Sequence, residues 1–180
     1  GGKSLAVDFR PPSSGGTTGP FYTELVTQYK SVIEGAATYF PELKNSQFAL
    51  AGMGWHQGWN DRINGDFVNE YETNLANFIR DIRKDLGSAN LPFVIAETGM
   101  GGMEEANQRA LNLMKAQAAV SEHPEFRNNV AFVGTREFWR PADASPSNQG
   151  YHWNSNAETY FRIGDAMGEA MLGLLKRTQK

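Results

Sequence analysis

The chain contains no cysteine among its 180 residues. Disulfides, thiolate nucleophiles and cysteine-held metal centres are therefore excluded. The redox compartment stays open, because a protein without disulfides can fold in any of them. Long apolar runs are also missing, since no stretch approaches the ~20 residues that a membrane-spanning helix requires. We therefore expect no membrane partner.

Positive charge and histidine are scarce as well. The 17 Lys and Arg residues are outnumbered by 20 Asp and Glu residues, so the net charge of −3 predicts no nucleic-acid partner. The histidines are His56, His123 and His152, and none pairs with another at ligand spacing, so we expect no metal. Apolar content of 40% and charged content of 21% are typical of one globular domain over residues 1–180.

Three short apolar runs alternate with longer segments of helical periodicity, which is typical of an α/β protein with a parallel sheet covered on both faces. The predicted strands are Phe48–Trp55, Leu91–Glu97 and Val130–Gly134. The predicted helices are Pro20–Phe40, about 64–86, about 103–122 and about 156–176. Three strands are few for such a sheet, so we expect further strands before residue 1.

The start of the chain, Gly2-Lys3-Ser4, has the ending of a phosphate-binding loop. That mechanism requires a helix to begin at the loop, so that its free N–H groups meet the phosphate. Here Pro11 and Pro12 follow, and no helix is predicted before Pro20. Nucleotide binding is accordingly the weakest of the candidate functions, and we expect no cofactor.

The most informative segment is the end of the first predicted strand, where His56 to Asp61 follow a buried apolar run. Open α/β sheets place their sites at the carboxyl ends of strands. The Gln57 amide is a donor that can stabilise an oxyanion during acyl transfer, and Gly58 would let a substrate approach the backbone. Alternatively, these polar side chains only satisfy a turn.

A second candidate is His152, which lies between Tyr151 and Trp153 just before the last helix. A histidine in such a loop can act as a general base, although a simple surface histidine is the alternative. Loops that follow different strands of a parallel sheet face one crevice, so we expect His152 and the Gln57 segment to lie together.

These segments carry a resemblance to a known family. Gly54-Trp55-His56-Gln57-Gly58, followed by Asn60-Asp61, resembles the Trp-His-Gln-Gly-Glu-Ser-Asp block of SGNH-superfamily carbohydrate esterases. These are the sialate O-acetylesterase-like group and the acetylxylan esterases of carbohydrate esterase family six. Residues 1–4 look like the glycine block of that family, residues 91–97 like its fourth strand, residues 109–117 like one of its helices, and His152 stands at its catalytic histidine.

The resemblance implies a flavodoxin-like, three-layer α/β/α hydrolase that removes acetyl groups from sugars or xylan, with an extracellular or periplasmic location. Its nucleophile is a serine after the first strand. His152 would be the general base, and Gln57 with the backbone N–H of Gly2 or Gly1 would form the oxyanion hole. The residues expected to contact the substrate are His56, Gly58, Trp59, Asn60 and Trp153.

The sequence departs from this pattern in three places. The block that carries the nucleophilic serine is absent, which leaves Ser4, Ser13 or Ser14 as substitutes. Gln149 stands where the family has the acid of the triad, so either Asp143 or Glu137 replaces it or, as in some SGNH enzymes, a carbonyl orients the histidine of a dyad. Trp59 stands where the family has Glu. A non-catalytic, sugar-binding remnant of such an esterase is therefore the alternative function.

The absent first strand would also leave an apolar strand edge without a partner, and such edges aggregate readily. We therefore expect that the chain is one piece of a nicked protein, that a second copy covers the edge, or that an N-terminal segment outside the given sequence pairs with it.

Overall fold

The computed structural model describes residues 2–178, which form a three-stranded sheet with helices on both faces. The elements in chain order are α1 Pro20–Tyr39, β1 Met53–Trp55, α2 Gly65–Asp85, β2 Phe93–Ala96, α3 Gln108–Glu122, β3 Val130–Val133 and α4 Ala157–Thr178. No helix in this part of the chain is both long and apolar enough to cross a membrane.

The sheet is parallel throughout, in the order β1-β2-β3, with Met53 opposite Phe93 and Ile95 opposite Phe132. Successive side chains of a strand point to opposite faces, so each strand packs against two helix layers. Phe93 and Ile95 are buried with the apolar side chains of α2, whereas Val94 is buried with Leu174 of α4. The predicted α/β class is confirmed.

Helix α2 supplies much of the core, because its predicted apolar stripe is buried along its length. Tyr71, Leu75, Phe78, Ile79 and Ile82 are 0% exposed. The helix begins where predicted, since the Asn64 side chain accepts a hydrogen bond from the Asp66 N–H at 2.9 Å. It ends at Asp85, and the φ of +68° at Gly87, just after the helix, lets the Ser88 N–H reach the carbonyl of Arg83.

The first strand is shorter than predicted. β1 begins at Met53 rather than Phe48, and Phe48 is 44% exposed. β1 pairs only with β2, which itself begins at Phe93, so the residues before Met53 have no ladder partner. Within the described residues β1 is an edge strand, and its Gly54 is exposed.

The third helix also begins later than predicted, at Gln108 instead of Met103. The Asn107 side chain accepts hydrogen bonds from the N–H groups of Arg109 and Ala110, which caps the helix there. Met103 instead lies in a short 3₁₀ turn, Gly102–Glu104.

Substituting Gly87 tests the end of α2. Gly87→Ala forces a side chain into the left-handed region and should lower the free energy of unfolding by about 1–2 kcal/mol in urea titrations. Gly168→Ala is the matched control, because Gly168 is inside α4 and a methyl group there meets nothing within 4 Å beyond the backbone of its own helix. It should stabilise the protein by up to about 1 kcal/mol. Equal stability of the two variants would contradict this account of the α2 terminus.

Candidate active site

A cleft of about 840 Å³ opens at the carboxyl ends of β1 and β2. It is lined by residues from the N-terminal segment, the β1 end, the loop after β2 and the loop before α4, including Gly2, Lys3, His56, Gln57, Gly58, Trp59, Asn60, Thr98, Met100, Tyr151, His152 and Trp153. The structure therefore brings the Gln57 segment and His152 to one cavity. Gly2 also lines it, with φ +69°, whereas Gly1 lies outside the described residues.

Asp61 holds one wall of the cleft in place, although sequence reasoning assigned it no role. Its carboxylate is 0% exposed and accepts hydrogen bonds from the N–H groups of Leu5 at 2.9 Å and Ala6 at 3.0 Å. It also accepts one from Gln57 Nε2 at 2.6 Å. Burial raises the pKa of Asp61, and these hydrogen bonds oppose that rise. The N-terminal segment is thereby fastened to the turn that follows β1.

Both amide hydrogens of Gln57 are engaged in this conformation. Nε2 donates to the carbonyl of Lys3 at 2.8 Å and to Asp61 at 2.6 Å, and the Tyr71 hydroxyl lies 3.1 Å from Oε1. The amide thus ties the strand end to the N-terminal segment. To stabilise an oxyanion, as the sequence predicted, it must exchange one of these acceptors for the substrate.

The Gln57 backbone is held by a buried polar network. Its carbonyl accepts hydrogen bonds from the Tyr71 hydroxyl at 2.8 Å, from Gln117 Nε2 at 2.8 Å and from Thr98 Oγ1 at 3.3 Å. Gln117 is 0% exposed and also accepts from the Thr98 N–H at 2.8 Å. Neighbouring elements therefore fix the position of the β1 end. In the sequence, only the place of Gln117 in the segment that resembles a helix of the esterase family indicated that this residue matters.

Gly58 lines the cleft, where its contact with a substrate stays a prediction, and it also serves this network. It is buried with φ +151°, and a Cβ added to it would lie 2.4 Å from Thr98 Oγ1 and 2.8 Å from a Leu113 methyl carbon. The absent side chain leaves room for Thr98 and Leu113.

His152 is exposed at the cleft, and its ring packs against Tyr151 with centroids 4.5 Å apart. The Tyr160 hydroxyl donates to its carbonyl at 2.9 Å. Within residues 2–178 no carboxylate is hydrogen-bonded to its ring. Asp143 does not fill the role suggested for it, because it lies exposed in a separate 3₁₀ turn and does not line the cleft. Glu137 is exposed in another such turn.

Ser4 is a turn residue in this structure, which corrects its suggestion as a substitute nucleophile. It is 2% exposed, does not line the cleft, and donates its N–H and hydroxyl to Asp8 at 2.8 and 3.1 Å. Ser13 is bound in the same way to Asp81, at 2.8 and 2.6 Å, and Ser14 accepts a hydrogen bond from Asn77. The short polar side chains stabilise turns.

Aromatic rings form the opposite wall. Trp59 and Tyr151 have ring centroids 6.1 Å apart, and Trp153 lies 5.9 Å from the His56 ring. Trp153 is only 1% exposed, so it contributes little surface to a substrate. His56 is exposed, and desolvation by the surrounding protein lowers its pKa. Asn60 is half-buried in the same wall.

The backbone after His152 is strained. Trp153, Asn154 and Ser155 have φ values of 51°, 53° and 57°, in the left-handed region that L residues rarely adopt. Each such residue costs roughly 1–2 kcal/mol, and strain of this kind tends to collect at functional sites. The strain therefore lies next to the candidate base.

No group of three or more acidic or histidine side chains that could hold a metal ion is found in the described part of the chain. Comparison with known protein families identifies a relative of the chain by family. The family described as carbohydrate esterase, sialic acid-specific acetylesterase, matches residues 1–173. No curated protein and no solved structure is significantly similar to the chain.

Asp61→Asn tests the anchor of the N-terminal segment. The NH2 group of the new asparagine would face N–H donors that the carboxylate oxygen now accepts from. Because charged hydrogen bonds inside the protein are lost, the free energy of unfolding should fall by about 2–4 kcal/mol. Urea unfolding measures the loss, and limited proteolysis should cut within residues 3–9 sooner. Asp143→Asn is the exposed control and should change neither. If Asp61→Asn had the wild-type free energy of unfolding and the wild-type rate of proteolysis, the anchor would be unimportant.

Gly58→Ala tests the packing of the strand end. The added methyl group would overlap Thr98 and Leu113, and overpacking of this kind costs about 1–3 kcal/mol in thermal or urea unfolding. Gly65→Ala is the control, because a Cβ at Gly65 meets nothing within 4 Å. Wild-type stability of Gly58→Ala would mean that the site is looser than its contacts indicate.

Proposed function

The chain belongs to the carbohydrate esterase family of sialic acid-specific acetylesterases, and from that premise we propose that it hydrolyses acetyl esters on sugars. The observation that carries the proposal is the shared cleft. It brings His152, the Gln57 amide and the Gly2 backbone to one cavity that also has aromatic walls. A base, oxyanion donors and surfaces for a sugar ring are the parts that acyl transfer to a serine requires.

In the proposed mechanism, His152 takes the proton of a serine hydroxyl as its oxygen attacks the acetyl carbonyl. The developing oxyanion is stabilised by the Gly2 N–H and by Gln57 Nε2, once that group has released the Lys3 carbonyl. His152 then gives the proton to the departing sugar oxygen, which leaves an acetyl-serine. A water molecule, deprotonated by His152, hydrolyses this ester and releases acetate and the free serine.

The serine itself is not among the cleft-lining residues. We propose that a segment outside residues 2–178 supplies it by pairing with the free edge of β1. The edge is accessible at Gly54, and the apolar side chains of Phe21, Leu25 and Met53 line the cleft beside it. A parallel strand at this edge would end at the cleft, where its last residues would meet His152.

A sugar-binding protein without catalysis is the second candidate. It is favoured by the absence of a carboxylate partner for His152 in the described part of the chain and by the aromatic surfaces of Trp59 and Tyr151. Aromatic faces suit the apolar faces of pyranose rings in either function.

Replacing His152 separates the two candidates. The native polypeptide that contains this chain should hydrolyse p-nitrophenyl acetate and O-acetylated sialic acid, and His152→Ala should lower kcat by about 10³-fold or more. His123→Ala is the matched control, because His123 pairs with Glu72 at 2.8 Å and does not line the cleft. It should leave the rate unchanged.

Hydrolysis that survives His152→Ala would overturn the mechanism. Sugar binding without any hydrolysis by the native polypeptide would favour the second candidate instead.

A further inference from the structure

The outer edge of β3 carries backbone groups without a ladder partner. β3 is the last strand in the sheet order, and within the described residues it pairs with β2 alone. The Glu97 N–H, at the end of β2, donates to the Val133 carbonyl at 2.9 Å, so Val133 turns its backbone groups towards β2. Successive residues of a strand turn these groups to opposite sides. Phe132 therefore directs its N–H and carbonyl away from the sheet, and Val130 does the same with its carbonyl.

A groove of about 550 Å³ lies beside this edge, between α3 and the end of α4. Its apolar lining includes Ala118 and Ala119 of α3 and the half-buried Phe132 of β3. The groove and the cleft at the carboxyl ends of β1 and β2 have no lining residue in common. It is therefore a site separate from the candidate active site.

Positive charge surrounds the groove. Lys115, Arg127 and Arg177 line it, and all three are exposed. None of them forms a hydrogen bond or an ion pair within residues 2–178. Glu122 is the acidic residue that also lines it. The chain as a whole has a net charge of −3, so the groove has the opposite sign to the rest of the molecule and favours an acidic ligand.

The backbone groups and the charge together define the ligand. Outward N–H and carbonyl groups at strand spacing match the backbone of an extended peptide, which can add to a sheet edge as a further strand. Nucleic acids and polysaccharides have no backbone of alternating amide donors and acceptors. A second copy of the chain fits poorly, because two β3 edges paired about a two-fold axis would bring the same cations face to face.

We propose that the β3 edge binds an extended acidic segment of a partner protein, which adds a strand to the sheet. Phe132 exchanges backbone hydrogen bonds with this segment, while Lys115, Arg127 and Arg177 attract its carboxylates. The inference is independent of the proposed function, because the groove and the cleft are separate. The alternative is that the cations only protect the edge from pairing with a second copy, as charged residues do on many edge strands.

Peptide titrations test the proposal on the native polypeptide that contains this chain. The probe is a fluorescently labelled peptide of sequence Glu-Val-Glu-Val-Glu-Val with blocked ends. One control peptide has lysine in place of glutamate, and another has a methyl group on every backbone nitrogen. The acidic peptide should bind about 10-fold more tightly than the lysine peptide, and the preference should shrink as salt rises. The N-methylated peptide keeps its charges but cannot donate to a strand, so it should not bind.

Substitutions assign the binding to the groove. The double variant Lys115→Gln, Arg127→Gln removes two exposed charges and should weaken binding of the acidic peptide about 5-fold, as expected for two surface ion pairs. Lys30→Gln is the matched control, because Lys30 is an exposed residue of α1 that does not line the groove. It should leave the affinity unchanged.

Equal affinity for the acidic and lysine peptides, or no binding of the acidic peptide at millimolar concentration, would overturn the inference. Equal binding of the N-methylated peptide would also contradict it, because charge alone would then account for the affinity. Sedimentation equilibrium of the same variants tests the alternative. A dimer that forms only in the double variant, without peptide binding by the wild type, would assign the cations to edge protection instead.

Discussion

The cleft depends on the buried carboxylate of Asp61. This group joins segments far apart in the chain, because it accepts hydrogen bonds from Leu5 and Ala6 near the start and from Gln57 after β1. A buried charge is tolerated only when its lone pairs are satisfied, so the N-terminal turn and the Gln57 side chain must both adopt these positions. The same hydrogen bonds bring Gly2 and Lys3 to the cavity that His152 lines.

A second set of contacts holds the other side of the strand end. Tyr71 from α2, Gln117 from α3 and Thr98 after β2 all meet the Gln57 carbonyl, and Gly58 leaves the space that they occupy. The Gln57 backbone is therefore fixed by elements of the core, while its side chain is shared between Lys3 and Asp61. A rigid backbone with an exchangeable side-chain donor suits a group that must turn towards an oxyanion.

The sequence predicted the α/β class, the stripe and caps of α2, and the meeting of the His152 loop with the Gln57 segment, because periodicity, capping residues and strand ends are local signals. It did not predict the shortness of β1, which depends on where β2 begins. It also missed the anchoring role of Asp61 and the packing role of Gly58, and it suggested roles for Ser4 and Asp143 that their positions do not support. The partners of Asp61 and Gly58 lie on other elements of the chain, and Ser4 bonds to Asp8 within the turn that Asp61 holds. No local pattern in the sequence predicts those contacts.

The central claim is that this cleft performs acyl transfer through a serine activated by His152. Labelling of the native polypeptide with a fluorophosphonate, followed by mapping of the modified peptide, tests it most directly. The account predicts one labelled serine outside residues 2–178, with labelling blocked by an O-acetylated sialic acid and lost in His152→Ala. Labelling of Ser4, or labelling that is indifferent to His152→Ala, would contradict it.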